Sequence, residues 1–357
     1  MIAVVLVGGE GTRLRPLTLD QPKAVLPIGG VPFVSLLLDR LAEAGVKRVI
    51  LSCGYLPDAL RAGIGTPPAG MTVEVVVEDE PLGTAGAIRF AAHGRVDQPF
   101  LALNGDVLGD ADFGALVRAR AAAGAQAAIA LTPVVDPTRF GVVMHDSRGV
   151  VERFVEKPPS ADSLGPGPWW VNAGAYVLDP GVLDLVPEGR MVSIEREIFP
   201  LLVGGQLIAH RDAGYWRDIG TVESYLAANT DVVAGHVRTR IGGSENALLI
   251  APTAVLARDA RISAPVLIGD DARVEAGAII GPGCVIGAGC VVGAGSTVIG
   301  SVLQAGATVA ARSSIERSVL GRLATVGERA TLVDCAIGTE QVVSSGSRLS
   351  GARVPSE

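Results

Sequence analysis

The segment Ile2-Ala3-Val4-Val5-Leu6-Val7-Gly8-Gly9-Glu10-Gly11-Thr12-Arg13-Leu14-Arg15-Pro16 indicates how the N-terminal part of the chain folds. Its apolar, β-branched start predicts a buried parallel strand, and its glycines predict a turn in which the backbone can approach a ligand closely. Consecutive amide N–H groups in such a turn form a concavity that binds anions. Arg13, Arg15 and Lys23 add positive charge beside it. The segment therefore predicts a site that holds a polyphosphate.

Two better-known phosphate loops do not fit these residues. A P-loop needs Lys-Ser or Lys-Thr after its glycines, and neither dipeptide follows Gly11. The dinucleotide-binding fingerprint needs a third glycine three residues further on, where this chain has Leu14. A glycine turn whose arginines only solvate the surface would explain the glycines alone. It does not explain why Arg13 and Lys23 occur at these positions after the glycines.

Residues 1–235 alternate short apolar runs with amphipathic runs, which predicts an α/β fold with a Rossmann-like, doubly wound mixed sheet. Helices are expected at 31–44 and 112–123, and strands at 48–52, 73–78 and 127–131. Ligands of such sheets bind at the carboxyl ends of the strands. Asp106 follows an apolar strand and is a candidate Mg²⁺ ligand, because this ion prefers carboxylate and phosphate oxygens. A turn or helix-capping role for Asp106 stays open at this point.

A different periodicity begins near residue 250. Aliphatic residues recur every six positions at Ile250, Leu256, Ile262, Ile268, Val274, Ile280, Ile286, Val292 and Val298. The register then slips by one. The spacing from Leu303 to Leu320 and from Leu320 to Ile337 is one residue shorter than three full hexapeptide repeats. The pattern predicts a left-handed parallel β-helix of hexapeptide repeats whose later coils have one tighter corner. We therefore expect an N-terminal domain at 1–235, a linker at 236–248 and a β-helix at 249–357.

The composition argues against several classes of protein. A net charge of −7, with 30 Lys and Arg residues, does not suit a general nucleic-acid or anionic-membrane binder. No apolar run reaches the roughly 18 residues of a membrane-spanning helix, and the early first strand leaves no room for a signal peptide. The cysteines Cys53, Cys284, Cys290 and Cys335 form no C-x2-C pair. We expect buried free thiols and a cytoplasmic protein.

The pattern Gly-Gly-x-Gly-Thr-Arg-Leu-x-Pro, with Pro22-Lys23 after it, resembles the signature of the nucleotide-sugar pyrophosphorylases, or sugar-1-phosphate nucleotidyltransferases. The resemblance covers essentially the whole chain. Segments 80–84, 104–107 and 193–197 are most similar to the mannose-1-phosphate guanylyltransferase type with a β-helix tail. The resemblance implies that a nucleoside triphosphate, with GTP favoured, reacts with a sugar 1-phosphate, with mannose 1-phosphate favoured, to give a nucleotide sugar and pyrophosphate.

The resemblance also implies roles for individual residues. Nucleotide binding is expected of Leu6, Gly8, Gly9, Gly11, Thr12, Arg13, Glu78 and Gly83, and sugar-phosphate binding of Gly141, Glu156, Lys157, Asn172, Gly174 and Glu195. Mg²⁺ is expected on Asp106 and Asp218. In catalysis Arg13 would neutralise the departing pyrophosphate, Lys23 would hold the reacting phosphates and Lys157 would grip the nucleophile. Taken alone, the Gly83 segment also fits an ordinary strand–helix turn, and Glu156-Lys157 also fits a solvated charge pair.

Other functions stay open on the sequence. The same reaction on glucose 1-phosphate, or on a valienol-type cyclitol 1-phosphate with another nucleotide, is one alternative, and a non-catalytic regulatory homologue is another. An acyltransferase is disfavoured because none of His93, His145, His210 and His236 lies within the repeats. We expect a homo-oligomer, a dimer or tetramer to which the β-helix contributes, with no nucleic-acid or membrane partner.

Overall fold

The computed structural model describes residues 1–165 and 167–356, and for Glu156 its backbone alone. The chain separates into two compact units. The first unit contains Met1–Gly9, Leu37–Arg61 and Thr66–Trp216, and the second contains Glu10–Leu36, Ala62–Gly65 and Arg217–Glu357. Among the described residues, no helix combines the length and apolarity needed to cross a membrane.

The first thirteen strands precede the solenoid. They are β1 (Ile2–Leu6), β2 (Pro27–Ile28), β3 (Val31–Pro32), β4 (Arg48–Cys53), β5 (Thr72–Val77), β6 (Phe100–Asn104), β7 (Val107–Gly109), β8 (Ala127–Val134), β9 (Gly141–His145), β10 (Val151–Glu156), β11 (Trp169–Leu178), β12 (Leu207–Arg211) and β13 (Trp216–Asp218). The α-helices are α1 (Phe33–Glu43), α2 (Pro57–Gly63), α3 (Gly83–Ala92), α4 (Phe113–Ala123), α5 (Phe199–Leu202) and α6 (Val222–Val233).

The main sheet of the first unit is mixed, as predicted. Its main path runs β10-β9-β11-β6-β1-β4-β5, and β8 pairs with both β11 and β12. Strands β6, β1, β4 and β5 are parallel neighbours, whereas β11 runs antiparallel to β6. The carboxyl ends of β1 and β6 therefore lie side by side, with Leu6 opposite Asn104. Within the first unit, this edge presents Gly8 and Gly9 next to the segment that carries Asp106.

Local sequence signals fix the helix ends. The predicted helix at 112–123 is α4, for which Asp112 serves as the N-cap by accepting a hydrogen bond from the Ala115 N–H at 2.8 Å. Gly124 ends α4 in the left-handed conformation that glycine adopts without strain. In the second unit, Thr221 and Ser224 form a reciprocal capping box at the start of α6.

The solenoid consists of β14 (Leu248–Ile250), β15 (Val255–Leu256), β16 (Arg261–Ile262), β17 (Val266–Ile268), β18 (Arg273–Val274), β19 (Ile279–Ile280), β20 (Cys284–Ile286), β21 (Val291–Val292), β22 (Thr297–Ile299), β23 (Val302–Leu303), β24 (Thr308–Val309), β25 (Ser314–Glu316), β26 (Val319–Leu320), β27 (Thr325–Val326), β28 (Thr331–Val333), β29 (Ala336–Ile337), β30 (Val342–Val343), β31 (Arg348–Ser350) and β32 (Arg353–Val354). Every third strand joins the same sheet, which gives three parallel sheets. This is the expected β-helix, and its aliphatic repeat positions from Leu256 onward form or pack against one core cluster along the axis, whereas Ile250 in the first coil is exposed.

The coil length changes where the sequence predicts. Ile268 pairs with Ile286, three full repeats further on, whereas Ile286 pairs with Leu303 and Leu303 with Leu320, each one position short of three repeats. The shortened corner follows β22, β25 and β28 and contains Gly300, Arg317 and Asp334, all with positive φ. The Arg317 guanidinium holds the pKa of the Asp334 carboxyl below its usual range across neighbouring coils. The one-residue slip is thus a tighter corner within a continuous solenoid.

Candidate active site

The glycine turn contributes residues to both units. In the first unit, Leu6 ends β1 and Gly8 lies so close to β4 that a Cβ on it would be 3.1 Å from the Gly54 nitrogen. Gly9 has open space around it. In the second unit, Gly11 adopts φ +63° and its carbonyl accepts a hydrogen bond from the Thr18 hydroxyl at 2.9 Å. This turn conformation starts the short 3-10 helix Thr12–Leu14, which carries the exposed Arg13.

Three charged residues expected at the phosphates lie together in the second unit. Lys23 Nζ is 3.9 Å from Asp218 Oδ1, and the Lys23 side chain is only 12% exposed. The Arg13 and Asp218 side chains both lie close to Gly220, because a Cβ on Gly220 would lie 2.7 Å from Arg13 Nη2 and 3.3 Å from Asp218 Oδ2. At this spacing the two cations can neutralise an anionic ligand, and the carboxylate can bind the metal ion that accompanies that ligand.

Asp106 lies in the first unit, in the two-residue turn between β6 and β7. The preceding Gly105 brings this turn against β1. The Gly105 N–H donates to the Leu6 carbonyl at 2.9 Å, and a Cβ on Gly105 would lie 2.7 Å from that oxygen. Asp106 is half-buried at the strand ends. The close approach of Gly105 explains in physical terms why the sequence has glycine before this carboxylate.

Glu78 is a buried carboxylate beside the glycine turn. Its exposed fraction is 9%, and Oε1 accepts a hydrogen bond from the Ser52 hydroxyl at 2.8 Å. The Leu82 N–H is 3.4 Å from Oε2. A Cβ on Gly8 would be 3.6 Å from Oε1. A carboxylate oxygen accepts about two hydrogen bonds, so Glu78 keeps acceptor capacity toward a ligand that lies along Gly8.

Gly83 begins α3 with φ +70°, and a Cβ there would lie 2.6 Å from the carbonyl oxygen of Val192. The segments around these two residues are hydrogen-bonded, because Val192 N–H donates to Leu82 O and Ala85 N–H donates to Val192 O, both at 2.9 Å. The glycine is therefore required by packing within the first unit. This requirement is compatible with the nucleotide contact that the sequence predicts for Gly83.

A hydrogen-bonded cluster surrounds Glu195. Its carboxylate accepts from the hydroxyls of Thr84 at 2.9 Å, Ser193 at 2.8 Å and Tyr176 at 3.3 Å. Asn172 Nδ2 donates to the Tyr176 hydroxyl at 2.8 Å, and Asn172 Oδ1 accepts from the Gly174 N–H at 2.9 Å. The structure thus brings Asn172, Gly174 and Glu195 together. Burial raises the pKa of Tyr176 well above its usual value, and its hydroxyl stays a neutral donor.

The hairpin β9–β10 carries the remaining predicted residues. Gly141 pairs directly with Glu156, and Val142 of the same strand pairs with Val171, the neighbour of Asn172. The side chain of Glu156 lies outside the described part of the chain. Lys157 follows β10, exposed and with φ +47°, and its N–H donates to the Phe140 carbonyl at 3.0 Å. Lys157 is therefore held at the end of the hairpin by its backbone.

Three residues of this region were not identified from the sequence. Ser52 and Thr84 each bind a predicted carboxylate, and Tyr176 joins Asn172 to Glu195. Thr84 follows Gly83 directly, and Ser52 lies near the carboxyl end of β4, so the position of each residue along the chain gave a weak signal. Among the described residues, no group of three or more His, Cys, Asp and Glu side chains is placed to bind a metal ion.

Two family models and several known proteins match the chain. The family model described as nucleotidyl transferase matches residues 2–235, and the one described as GMPPB C-terminal domain matches residues 246–356. The mannose-1-phosphate guanylyltransferase of Mycobacterium tuberculosis is 40% identical over 303 residues, which are 78% of this chain and 82% of that protein. The mannose-1-phosphate guanyltransferase of Candida albicans is 39% identical over 234 residues, which are 64% of this chain and 63% of that protein.

A similar fold occurs among solved structures. The crystal structures of HddC from Yersinia pseudotuberculosis, alone and complexed with GMP-PN, match 65% of this chain and 99% of their own chain. The sequence identity is 31% and the TM-score is 0.56 for both.

Proposed function

The chain belongs to the nucleotidyl transferase family, and from that premise we propose that it condenses GTP with mannose 1-phosphate to give GDP-mannose and pyrophosphate. It is a nucleotidyltransferase, and its 40% identity to a mannose-1-phosphate guanylyltransferase supports the choice of both substrates. The grouping of Arg13, Lys23 and Asp218 is the observation that supports the proposal most directly. A triphosphate needs such cations, and its metal ion needs such a carboxylate.

In the proposed reaction a phosphate oxygen of the sugar 1-phosphate attacks the α-phosphorus of the nucleotide. The new P–O bond forms as the bond from the α-phosphorus to the bridging oxygen breaks, and pyrophosphate leaves with that oxygen. The protein has little covalent work to do, so alignment and charge neutralisation should supply most of the rate. Arg13 neutralises the leaving pyrophosphate, Lys23 holds the reacting phosphates and Lys157 binds the attacking phosphate.

Nucleotidyl transferases of this family generally use divalent metal ions. We propose Mg²⁺ for this chain, with Asp106 and Asp218 as its protein ligands. The donor set fits, because Mg²⁺ is bound in such enzymes by one or two carboxylates and by substrate phosphates. When bound, the ion would neutralise phosphate charge and align the oxygens of both substrates.

We assign recognition of the sugar phosphate to the first unit. Glu195 is held by Thr84, Ser193 and Tyr176, so its position is set before any substrate binds. Asn172 is fixed by its bonds to Tyr176 and Gly174. Pre-positioned polar groups of this kind suit a ring with several hydroxyls, because little side-chain entropy is lost on binding. Gly141 and Glu156 complete the proposed sugar side, beside Lys157.

We assign recognition of the guanine base to Glu78. Guanine presents two adjacent donors, N1–H and N2–H, and a carboxylate presents two adjacent acceptors. Ser52 holds Glu78 next to Gly8, and burial strengthens hydrogen bonds made there. Adenine, cytosine and uracil do not offer this pair of donors. Leu6 and Gly83 would add backbone contacts to the same base.

Replacing Glu78 by glutamine tests this assignment. Glutamine has the same shape but offers one acceptor and one donor, so it mismatches guanine. Loss of one charge-assisted bond of about 1.5–3 kcal/mol predicts a fall of roughly 10- to 100-fold in kcat/KM with GTP. The preference for GTP over ITP, which lacks the N2 amino group, should shrink as well. Glu80→Gln, an exposed carboxylate in the same loop, is the control, and an unchanged GTP-to-ITP ratio in Glu78→Gln would contradict the assignment.

The proposed function itself is tested by a matrix of nucleoside triphosphates against sugar phosphates. Mannose 1-phosphate, glucose 1-phosphate and a valienol-type cyclitol 1-phosphate would each be paired with five triphosphates, with products read by mass. GDP-mannose and pyrophosphate should form fastest. Faster formation of another product would show that the chain prefers other substrates, and no product from any combination would favour a regulatory homologue.

The four cysteines are free and buried, which supports the proposal that the chain works in a reducing cytoplasm.

A further inference from the structure

The segment that carries Lys23 is short and fixed at both ends. Lys23–Val25 forms a 3-10 turn between Pro22 and Leu26, closed by Val25 N–H to Pro22 O at 3.0 Å and Leu26 N–H to Lys23 O at 3.1 Å. Gln21 and Pro27 flank this five-residue stretch on either side. The position of Lys23 therefore depends on what holds Gln21 and Pro27.

One buried side chain of the β-helix is connected to both ends, directly at Gln21 and through Tyr225 at Pro27. Gln304, only 3% exposed, follows β23. Its Oε1 accepts a hydrogen bond from Gln21 Nε2 at 3.4 Å, and its Nε2 donates to the Tyr225 hydroxyl at 3.3 Å. The Tyr225 hydroxyl in turn donates to the Pro27 carbonyl at 2.5 Å. Tyr225 is fully buried, which raises its pKa and keeps its hydroxyl a neutral donor.

The repeat pattern shows that Gln304 is not required by the solenoid. In the inner coils, the residues directly after Ile268, Ile286, Leu320 and Ile337 occupy the same column of the β-helix as Gln304 and are all glycine, whereas the two terminal coils have Ala251 and Pro355 there. A Cβ on Gly338 would lie 3.2 Å from Pro16, in the same N-terminal segment of this unit. Gly338 and Gln304 of this column thus both lie against that segment, and Gln304 lies where the Lys23 turn is held.

We propose that Gln304 is a positioning residue through which the β-helix sets the location of Lys23 at the reacting phosphates. The proposal rests on the proposed function, because that function assigns Lys23 to the triphosphate. In this proposal the β-helix contributes to nucleotide binding as well as forming the C-terminal architecture of the chain. Buried hydrogen bonds suit this role, since leaving any of their partners unpaired is costly.

The test uses the full chain and the variant Gln304→Gly, which introduces the residue that the other inner coils have in this column. A small displacement of a binding group costs up to about 100-fold, and we expect roughly a tenfold loss in kcat/KM for GTP. KM for mannose 1-phosphate should stay unchanged, whereas the melting temperature should fall, because the variant leaves Gln21 and Tyr225 without their buried partner. Tyr225→Phe, which removes the donor to Pro27, should reproduce the effect. Ser318→Ala is the control, because Ser318 is equally buried but bonds only within the β-helix.

A second background separates positioning of Lys23 from general loosening. In Lys23→Ala, the further change Gln304→Gly should cost nothing more, because the group that it positions is gone. An equal loss in both backgrounds, or no loss in either, would overturn the proposal. Calorimetric binding of GTP to the same variants gives the same comparison without turnover. If the unmodified chain binds GTP but makes no nucleotide sugar, the proposed function is refuted. The effect of Gln304→Gly on GTP binding can still be measured by calorimetry in that case.

Discussion

Asp218→Asn should lower kcat for GDP-mannose synthesis by roughly 10²–10³, the range that follows removal of one pre-positioned charged group from a transition state. Asparagine keeps the shape of the side chain but removes the charge that faces Lys23 at 3.9 Å. It also removes one of the two proposed metal ligands. The concentration of Mg²⁺ needed for half-maximal rate should rise together with the fall in kcat, and a titration of initial rate against free Mg²⁺ measures both.

Two further variants sharpen this prediction. Asp106→Asn should show the same pair of changes if both carboxylates bind one ion, and the double variant should then lose little more than either single variant. Asp184→Asn removes an exposed carboxylate and serves as the control. A normal Mg²⁺ titration in Asp218→Asn, with only kcat reduced, would assign Asp218 to holding Lys23 and remove it from the metal site.

Arg13→Ala should also reduce kcat by roughly 10²–10³, with a smaller effect on the KM for mannose 1-phosphate. The reason is that Arg13 is assigned to charge that develops as pyrophosphate leaves, so its loss affects the transition state more than substrate binding. Steady-state kinetics in the forward direction, with pyrophosphate release as the readout, measure the change. Near-normal kcat in this variant would contradict the role given to Arg13.

Gly220→Ala provides a matched way to disturb Arg13 without removing it. Gly220 has no positive φ, so alanine is allowed by the backbone, but its methyl group would lie 2.7 Å from Arg13 Nη2. We expect Gly220→Ala to reproduce part of the Arg13→Ala loss. Gly181→Ala, where the nearest atom is 3.4 Å away, is the control. Full activity in Gly220→Ala would show that the guanidinium can move without consequence.

Most of the architecture follows from periodicity. Strand and helix positions in the mixed sheet were predicted to within a few residues, because buried strands and amphipathic helices impose their periods on the sequence. The predicted helix at 31–44 is shorter, since Val31–Pro32 forms β3 with β2 and α1 begins at Phe33. Proline at position 32 favours an extended residue before it, and this local preference decided the boundary.

The candidate site was predicted less completely. Glycine and Asp after a strand are also common in ordinary turns, so Asp106 and the glycine turn were identifiable from their order in the pattern that resembles the nucleotidyltransferases. Glu195 and Asn172 were expected as separate sugar contacts, and the structure shows that Tyr176 joins them. Tyr176 follows the same strand pattern as its neighbours in β11, so no local feature of the sequence distinguishes it. The division of the chain at 235 and 249 and the oligomeric state stay predictions.

The sequence by itself determined the repeats, the tight corner of the later coils and the nature of the charged groups near the glycine turn, because each of these depends on residues close together along the chain. Tertiary structure alone decided which residues hold those groups. Gln304 lies 283 positions from its partner Gln21, and Thr84 lies 111 positions from Glu195. A hydrogen bond between side chains depends on distance in space, and a contact at such sequence separation leaves no period for a single sequence to display.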